Sequence, residues 1–173
     1  MKIILLITIL SIFIDAKVLT GIDEAMNATF GEDCKISKKT ILLKNNEFKK
    51  VQKIAKTKIK SKIFQVYFAK KDSKTIGYGV LISKKIRSNN GVVLYTIDVN
   101  GTLKEIEIIA FNEPLDYLPS KKWKNEFINT PNSKFLEVGK NIPTITGATL
   151  SAKSITNSAR VALALYDIKL KEF

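Results

Sequence analysis

Histidine is absent from the 173-residue chain, and cysteine occurs once, at Cys34. The first absence removes the most frequent general base, the most frequent metal ligand and the usual axial ligand of haem. A Ser-His-Asp or Cys-His hydrolase is excluded with it. A lone cysteine allows no intrachain disulfide and builds neither a zinc nor an iron–sulfur site, so the fold must be held by its core. Arginine is scarce as well, at Arg87 and Arg160 only. Base-reading proteins concentrate arginine at their contact surface, and the lysines here are scattered through Lys38-Lys39, Lys49-Lys50, Lys70-Lys71 and Lys121-Lys122. Nucleic acid is therefore not the expected partner.

What is abundant is lysine and apolar surface. The net charge is +13, a balance that suits an anionic membrane surface, an acidic partner or an anionic cofactor; a solvated lysine-rich face is the plain alternative. Met1-Lys2, the apolar run Ile3–Ile14 and Asp15-Ala16-Lys17 have the order of a secretory signal peptide over residues 1–16. The run is shorter than the roughly 20 apolar residues of a comfortable membrane span. Left uncleaved, the same segment becomes an N-terminal anchor, since Ile14 is bulky for a position so close to a cleavage site. Both readings put the rest of the chain outside the cytoplasm, periplasmic or otherwise extracytoplasmic, with the segment as its tie to the inner membrane.

Residues 17–60 read as a helix and strand extension of one domain whose main part is residues 61–173. Ile22, Ala25, Met26 and Phe30 have helical spacing and end near Gly31. Lys35–Leu43 alternates as a strand, and Asn46 is placed to cap a basic helix through Lys56 with Phe48, Val51 and Ile54 as its stripe. Four further strands are expected at Ile63–Ala69, Thr75–Ile82, Val92–Asp98 and Leu103–Ala110. Asn100-Gly101 between the last two has the turn chemistry of a tight hairpin. A short helix is expected around Lys122–Phe127. From Ala148 to Leu170, Ala148, Ala152, Ile155, Ala159, Ala162, Leu163, Tyr166 and Leu170 recur at intervals of three and four, which predicts a long amphipathic helix whose alanines allow close packing on a sheet. The fold class is α+β: a largely antiparallel sheet of about four to six strands covered by helices.

The chemistry concentrates where that helix begins, at Thr146-Gly147-Ala148-Thr149-Leu150-Ser151. The first N–H groups of a helix lack intrahelical partners and lie at the positive end of the peptide dipoles, so this is an anion site. Gly147 lets a ligand approach the backbone, and Thr149 offers a hydroxyl. A purely structural N-cap is the simpler reading of such a string.

The hexapeptide resembles the flavinylation motif of the FMN-binding domain family, found in flavin subunits of sodium-pumping NADH:quinone oxidoreductases and Rnf-type complexes. The resemblance extends through Ala110-Phe111-Asn112-Glu113-Pro114-Leu115-Asp116-Tyr117-Leu118-Pro119, with Trp123 and Phe127, over about residues 61–170, and is to the small stand-alone exported members. It implies that FMN is joined through its phosphate to the Thr149 hydroxyl by a separate FAD- and magnesium-dependent flavin transferase, which releases AMP. With no histidine to activate that hydroxyl, an external enzyme is the consistent agent. Thr146, Gly147, Ala148, Leu150 and Ser151 would frame the phosphate. Lys140 or Arg160 would neutralise it. Tyr117, Trp123 and Phe111 are candidates to wall the flavin ring, or else form a satellite apolar cluster. Glu113 would accept a hydrogen bond from the flavin edge or from backbone. One departure stands out: family members usually carry an acidic residue six positions before the acceptor, where this chain has Pro143. Were that carboxylate required, tight noncovalent FMN would replace the covalent bond.

The function these features imply is that of an exported FMN-bearing electron carrier, working with membrane-bound or periplasmic redox proteins and associated with a membrane surface. An exported flavin-dependent reductase and a flavin-free secreted binding module are the rival readings. No metal site and no self-sufficient catalytic group is expected.

Overall fold

The computed structural model describes residues 18–173, so the leader expected over residues 1–16 lies outside the described residues. Six strands form one sheet in sequential order, each antiparallel to the next: β1 (Lys35–Leu42), β2 (Ile63–Lys71), β3 (Lys74–Lys85), β4 (Asn90–Asp98), β5 (Thr102–Phe111) and β6 (Thr130–Pro131). Helices α1 (Ile22–Phe30), α2 (Asn45–Ala55), α3 (Lys121–Asn125) and α4 (Thr149–Ile168) complete the α+β fold anticipated from the pattern. No helix among the described residues is long and apolar enough to cross a membrane.

Period-two alternation sorts the strand side chains to two faces. Phe64, Val66, Phe68, Tyr78, Val80, Val93, Tyr95, Ile97, Ile106 and Ile108 join residues of α2 and α4 in the main core. Tyr67, Ala69, Leu94 and Ile109 face α1 through Ala25 and Met26. Gly77 and Gly79 of β3 explain the close seat of α1: a side-chain carbon at either position would collide with Phe30 or Met26 respectively. Residues 35–55 thus share the sheet and core with the remainder, β1 pairing with β2 along its whole length.

The turns differ from the sequence expectation in two places. Asn100 does not take a left-handed conformation; only Gly101 does, at φ +83°. Asp98 shapes that loop instead, its carbonyl accepting from Gly101 N–H at 3.0 Å and its carboxylate accepting from Asn100 and Thr102 N–H, both at 2.9 Å. The two-residue turn with both central residues at positive φ lies between β2 and β3, at Asp72 (φ 47°) and Ser73 (φ 64°). Similarly, the N-cap of α2 is Lys44 and not Asn46: Lys44 N–H donates to the Glu47 carboxylate at 2.7 Å, so the acidic residue three positions in satisfies the helix entry.

Helix α4 is buried further round than its alanine stripe implied, since Ser151, Ser154, Thr156 and Ser158 are also inside. Two tyrosines pin it to the sheet. Tyr95 of β4 donates to Ile155 O at 3.0 Å near its start, and Tyr166 donates to Val99 O at 2.6 Å near its end. Burial drives the pKa of Tyr95 upward, keeping the phenol a donor.

Candidate functional site

The segment before α4 is a tight turn, closed by Ala148 N–H donating to Ile145 O at 3.0 Å, with Gly147 at φ +76° in its third position. That position favours glycine because a side chain in the left-handed region is strained. Nothing lies within 4 Å of where a Gly147 side chain would begin, so the glycine faces open space. The conformation serves the backbone, and the space is free for a ligand.

Ala148 is the N-cap and has no side-chain group to offer, and the first turn of α4 contains no acidic residue. Ala152 is the first amide with a helical acceptor, Ala148 O at 3.1 Å. The amides of Thr149, Leu150 and Ser151 therefore have no helical acceptor at the positive end of a 20-residue helix whose first turn holds no acidic residue; Thr149 and Leu150 stand at exposed positions, and Ser151 is buried. Thr149 is exposed, as are Thr146 and Gly147. Leu150 is 54% exposed, an apolar side chain held in solvent next to Thr149. Ser151 is the reverse: its Oγ is fully buried and has no hydrogen-bond partner among the described residues. An uncapped helix start at exposed positions leaves amides free for the oxygens of an anion.

Glu113 lies just beyond β5 and is 8% exposed. Its Oε1 accepts from the backbone N–H of Arg87 (2.9 Å), Ser88 (2.6 Å) and Asn89 (2.8 Å). It thereby holds the β3–β4 connection, the backbone option of the two open for it. Burial opposes ionisation, but the three amides and the nearby Arg87 charge outweigh it and lower the Glu113 pKa. The Arg87 guanidinium then lies 3.7 Å from the centroid of the Tyr117 ring. Tyr117 is half-buried with that face occupied by a cation.

Trp123 and Phe111 are core residues, 6% and 2% exposed. Ser120 caps α3 by accepting from Trp123 N–H at 3.2 Å, and the indole packs edge-on against Phe127 at 4.9 Å between centroids. Trp123 Nε1 donates to Pro143 O at 2.8 Å. Trp123 thus positions the chain leading into the turn, with little surface left to stack on a ring. The base of α4 is fixed to the same end of the sheet by Ser154 Oγ, which donates to Lys85 O at 2.9 Å.

The two cations named for phosphate neutralisation have protein partners of their own. Lys140 is exposed and pairs with Glu137 at 3.0 Å. Arg160 is eleven residues along α4 from Thr149, about 16 Å by helical rise. Its guanidinium donates to Ala55 O, Leu136 O, Thr57 Oγ1 and Asn157 Oδ1 at 2.6–3.0 Å, tying α2 and the 135–142 loop to α4. The arginine that does belong to the Glu113–Tyr117 cluster is Arg87, which sequence reasoning passed over; being one of only two arginines was the available signal. Asn112 is a second missed feature, its Oδ1 buried without a partner beside Glu113. A cleft of about 690 Å³ lies away from the turn, touching α4 only at Ser158 and Val161.

Residues 88–164 match the model of the FMN-binding domain family. The match runs from the β3–β4 connection through β4, β5, Glu113, Tyr117, Trp123 and the Thr146–Ser151 turn into α4, and identifies this part of the chain as an FMN-binding domain. No curated protein matches the chain.

Proposed function

We propose that this FMN-binding domain carries its cofactor covalently, through a phosphoester to Thr149, and serves outside the cytoplasm as an electron carrier. The observation that carries the reading is the start of α4. An exposed threonine hydroxyl stands on a helix terminus with no capping side chain and no acid in its first turn, next to a glycine whose open side faces solvent.

The attachment step is a phosphoryl transfer with a balanced inventory. A flavin transferase brings FAD and magnesium; the Thr149 oxygen bonds to the phosphorus on the FMN side, its proton is released, and the bond to AMP breaks. The chain supplies the nucleophilic oxygen and the receiving geometry. The amides of Thr149 and Leu150, at exposed positions on the first turn, would hold the phosphate oxygens. FMN, once bound, supplies reversible electron uptake, and the protein contributes position and electrostatics. Glu113, by fixing the 87–89 turn, sets where Arg87 and Tyr117 stand at the same end of the sheet.

On this reading FMN supplies the redox chemistry and the protein is a carrier, not a reductase complete in itself. Export through the residue 1–16 segment gives covalent attachment its purpose, because FMN lost outside the cytoplasm is not replenished there. Membrane-bound or extracytoplasmic redox proteins would be its partners, and the basic surface would steer it to acidic ones. The test is turnover. Flavin-loaded protein mixed with NADH and a quinone shows no catalytic cycle alone and one that depends on an added membrane fraction. Steady turnover by the isolated protein overturns the carrier reading in favour of a reductase.

A further inference from the structure

The 690 Å³ cleft opens where β2 and β3 part company. Their pairing begins at Gln65 opposite Leu81; beyond it β2 stays with β1 through Ile63 and Phe64, while β3 continues to Lys85 beside β4. The 58–61 segment and the middle of α4 close the gap. Except for Asn90, Val92, Ser158 and Val161, its lining residues precede the FMN-binding match.

Ile59, Ile63, Phe64, Ile82 and Val161 give it apolar walls, and no carboxylate lines it. Lys58, Lys60, Lys84 and Lys85 supply its charge. Alternation along β3 puts Lys84 on the face of Val80 and Ile82, toward α4. Its side chain is half-buried, and its ammonium has no hydrogen bond or ion pair among the described residues. Burial, and secondly the charge of Arg160, lower its pKa. Arg160 is held in place by its four protein acceptors and does not withdraw. A half-buried ammonium on an apolar cleft that no carboxylate lines is an unfavourable arrangement that an acidic ligand group relieves.

We infer that the cleft is a second binding site, separate from the flavin turn, for an anionic amphiphile whose acidic group meets Lys84 and whose apolar body lies against Ile59, Phe64 and Val161. The volume falls in the range of small-molecule sites. A free fatty acid and the headgroup end of an anionic lipid present the same chemistry, and both suit a protein working beside a membrane.

The test titrates the full chain with dodecanoate below its micelle concentration, by calorimetry, in flavin-free and flavin-loaded forms. One saturable site is expected in both. Lys84→Gln weakens it by about tenfold or more with Tm unchanged, Lys84→Arg retains it, and Ile59→Trp blocks it by filling the space. Lys153→Gln, which removes an exposed α4 lysine away from the cleft, leaves it unaltered. Absence of saturable binding, equal affinity in Lys84→Gln, or an equal loss in Lys153→Gln overturns the proposal. Loss of the site on flavin loading also overturns it, giving the cleft to the flavin ring. Sedimentation with phosphatidylglycerol but not phosphatidylcholine vesicles, competed by dodecanoate and lost in Lys84→Gln, identifies a membrane lipid as the source; dodecanoate binding without vesicle retention identifies the free acid.

Discussion

Trp123 Nε1 donates to the carbonyl oxygen of Pro143 at 2.8 Å, which ties the one tryptophan of the chain to the position where the family usually has an acid. The contact fixes the segment entering the Thr146–Ser151 turn, and it gives that segment an anchor that does not depend on a carboxylate at Pro143. Trp123→Phe keeps the ring but removes the donor. The expected result is a loss of about 1 kcal/mol in unfolding free energy, together with a lower ratio of flavin to protein after exposure to transferase. Unchanged flavin content at the reduced stability would show that the bond serves the fold alone.

Glu113 should behave as a structural carboxylate. Its pKa is lowered in the fold, so its stabilising effect is fully present above the unfolded value of about 4.3 and is lost as pH falls through the folded one. Glu113→Gln removes the charge from three amides and costs about 1–3 kcal/mol near neutrality. Thermal unfolding from pH 7 down to pH 3 checks the sign: the gap between wild type and variant narrows on acidification. A gap independent of pH contradicts the assignment.

These two residues also indicate what can be read from a sequence here. Alternation and helical spacing reported the sheet faces and α4, because burial repeats with the period of the backbone. The partner of Glu113 was not legible: an acid between Asn112 and Pro114 looks the same whether it faces flavin or a turn 24–26 residues upstream. Trp123 and Phe111 fit a ring wall or an apolar cluster equally well by sequence, because large aromatics suit both ligands and cores, and only the tertiary fold shows them enclosed. The short strand Thr130–Pro131 carried no periodic signal at two residues. Asn46 was a good cap by type, yet the helix entry was decided by the Glu47 carboxylate reaching Lys44 N–H.

At Gly147 the backbone and the ligand make separable demands. A methyl group there meets no neighbour, so Gly147→Ala costs only the left-handed backbone, about 1 kcal/mol. Gly147→Asn, which tolerates that conformation better, should be nearly as stable as wild type. Both are expected to load flavin poorly, because each puts atoms in the space the phosphate would approach. Full loading of Gly147→Asn would restrict the glycine to a conformational role.

Arg160 provides the opposite case. Lys at this position cannot reach the four acceptors on α2, α4 and the 135–142 loop that the guanidinium fork joins. Arg160→Lys should lower stability by about 2 kcal/mol and leave the flavin content of the folded fraction unaltered. Denaturant unfolding combined with the visible flavin absorbance separates the two effects. A selective loss of flavin would return Arg160 to the phosphate.

The account rests most heavily on the Thr149 oxygen, and the intact mass of the protein addresses it directly. Produced in an exporting host that has a flavin transferase, wild type should be heavier than its polypeptide by one FMN less one water, Thr149→Ala should have the polypeptide mass alone, and Ser151→Ala should retain the adduct. An unmodified wild-type mass, or an adduct that survives in Thr149→Ala, contradicts covalent attachment at this site.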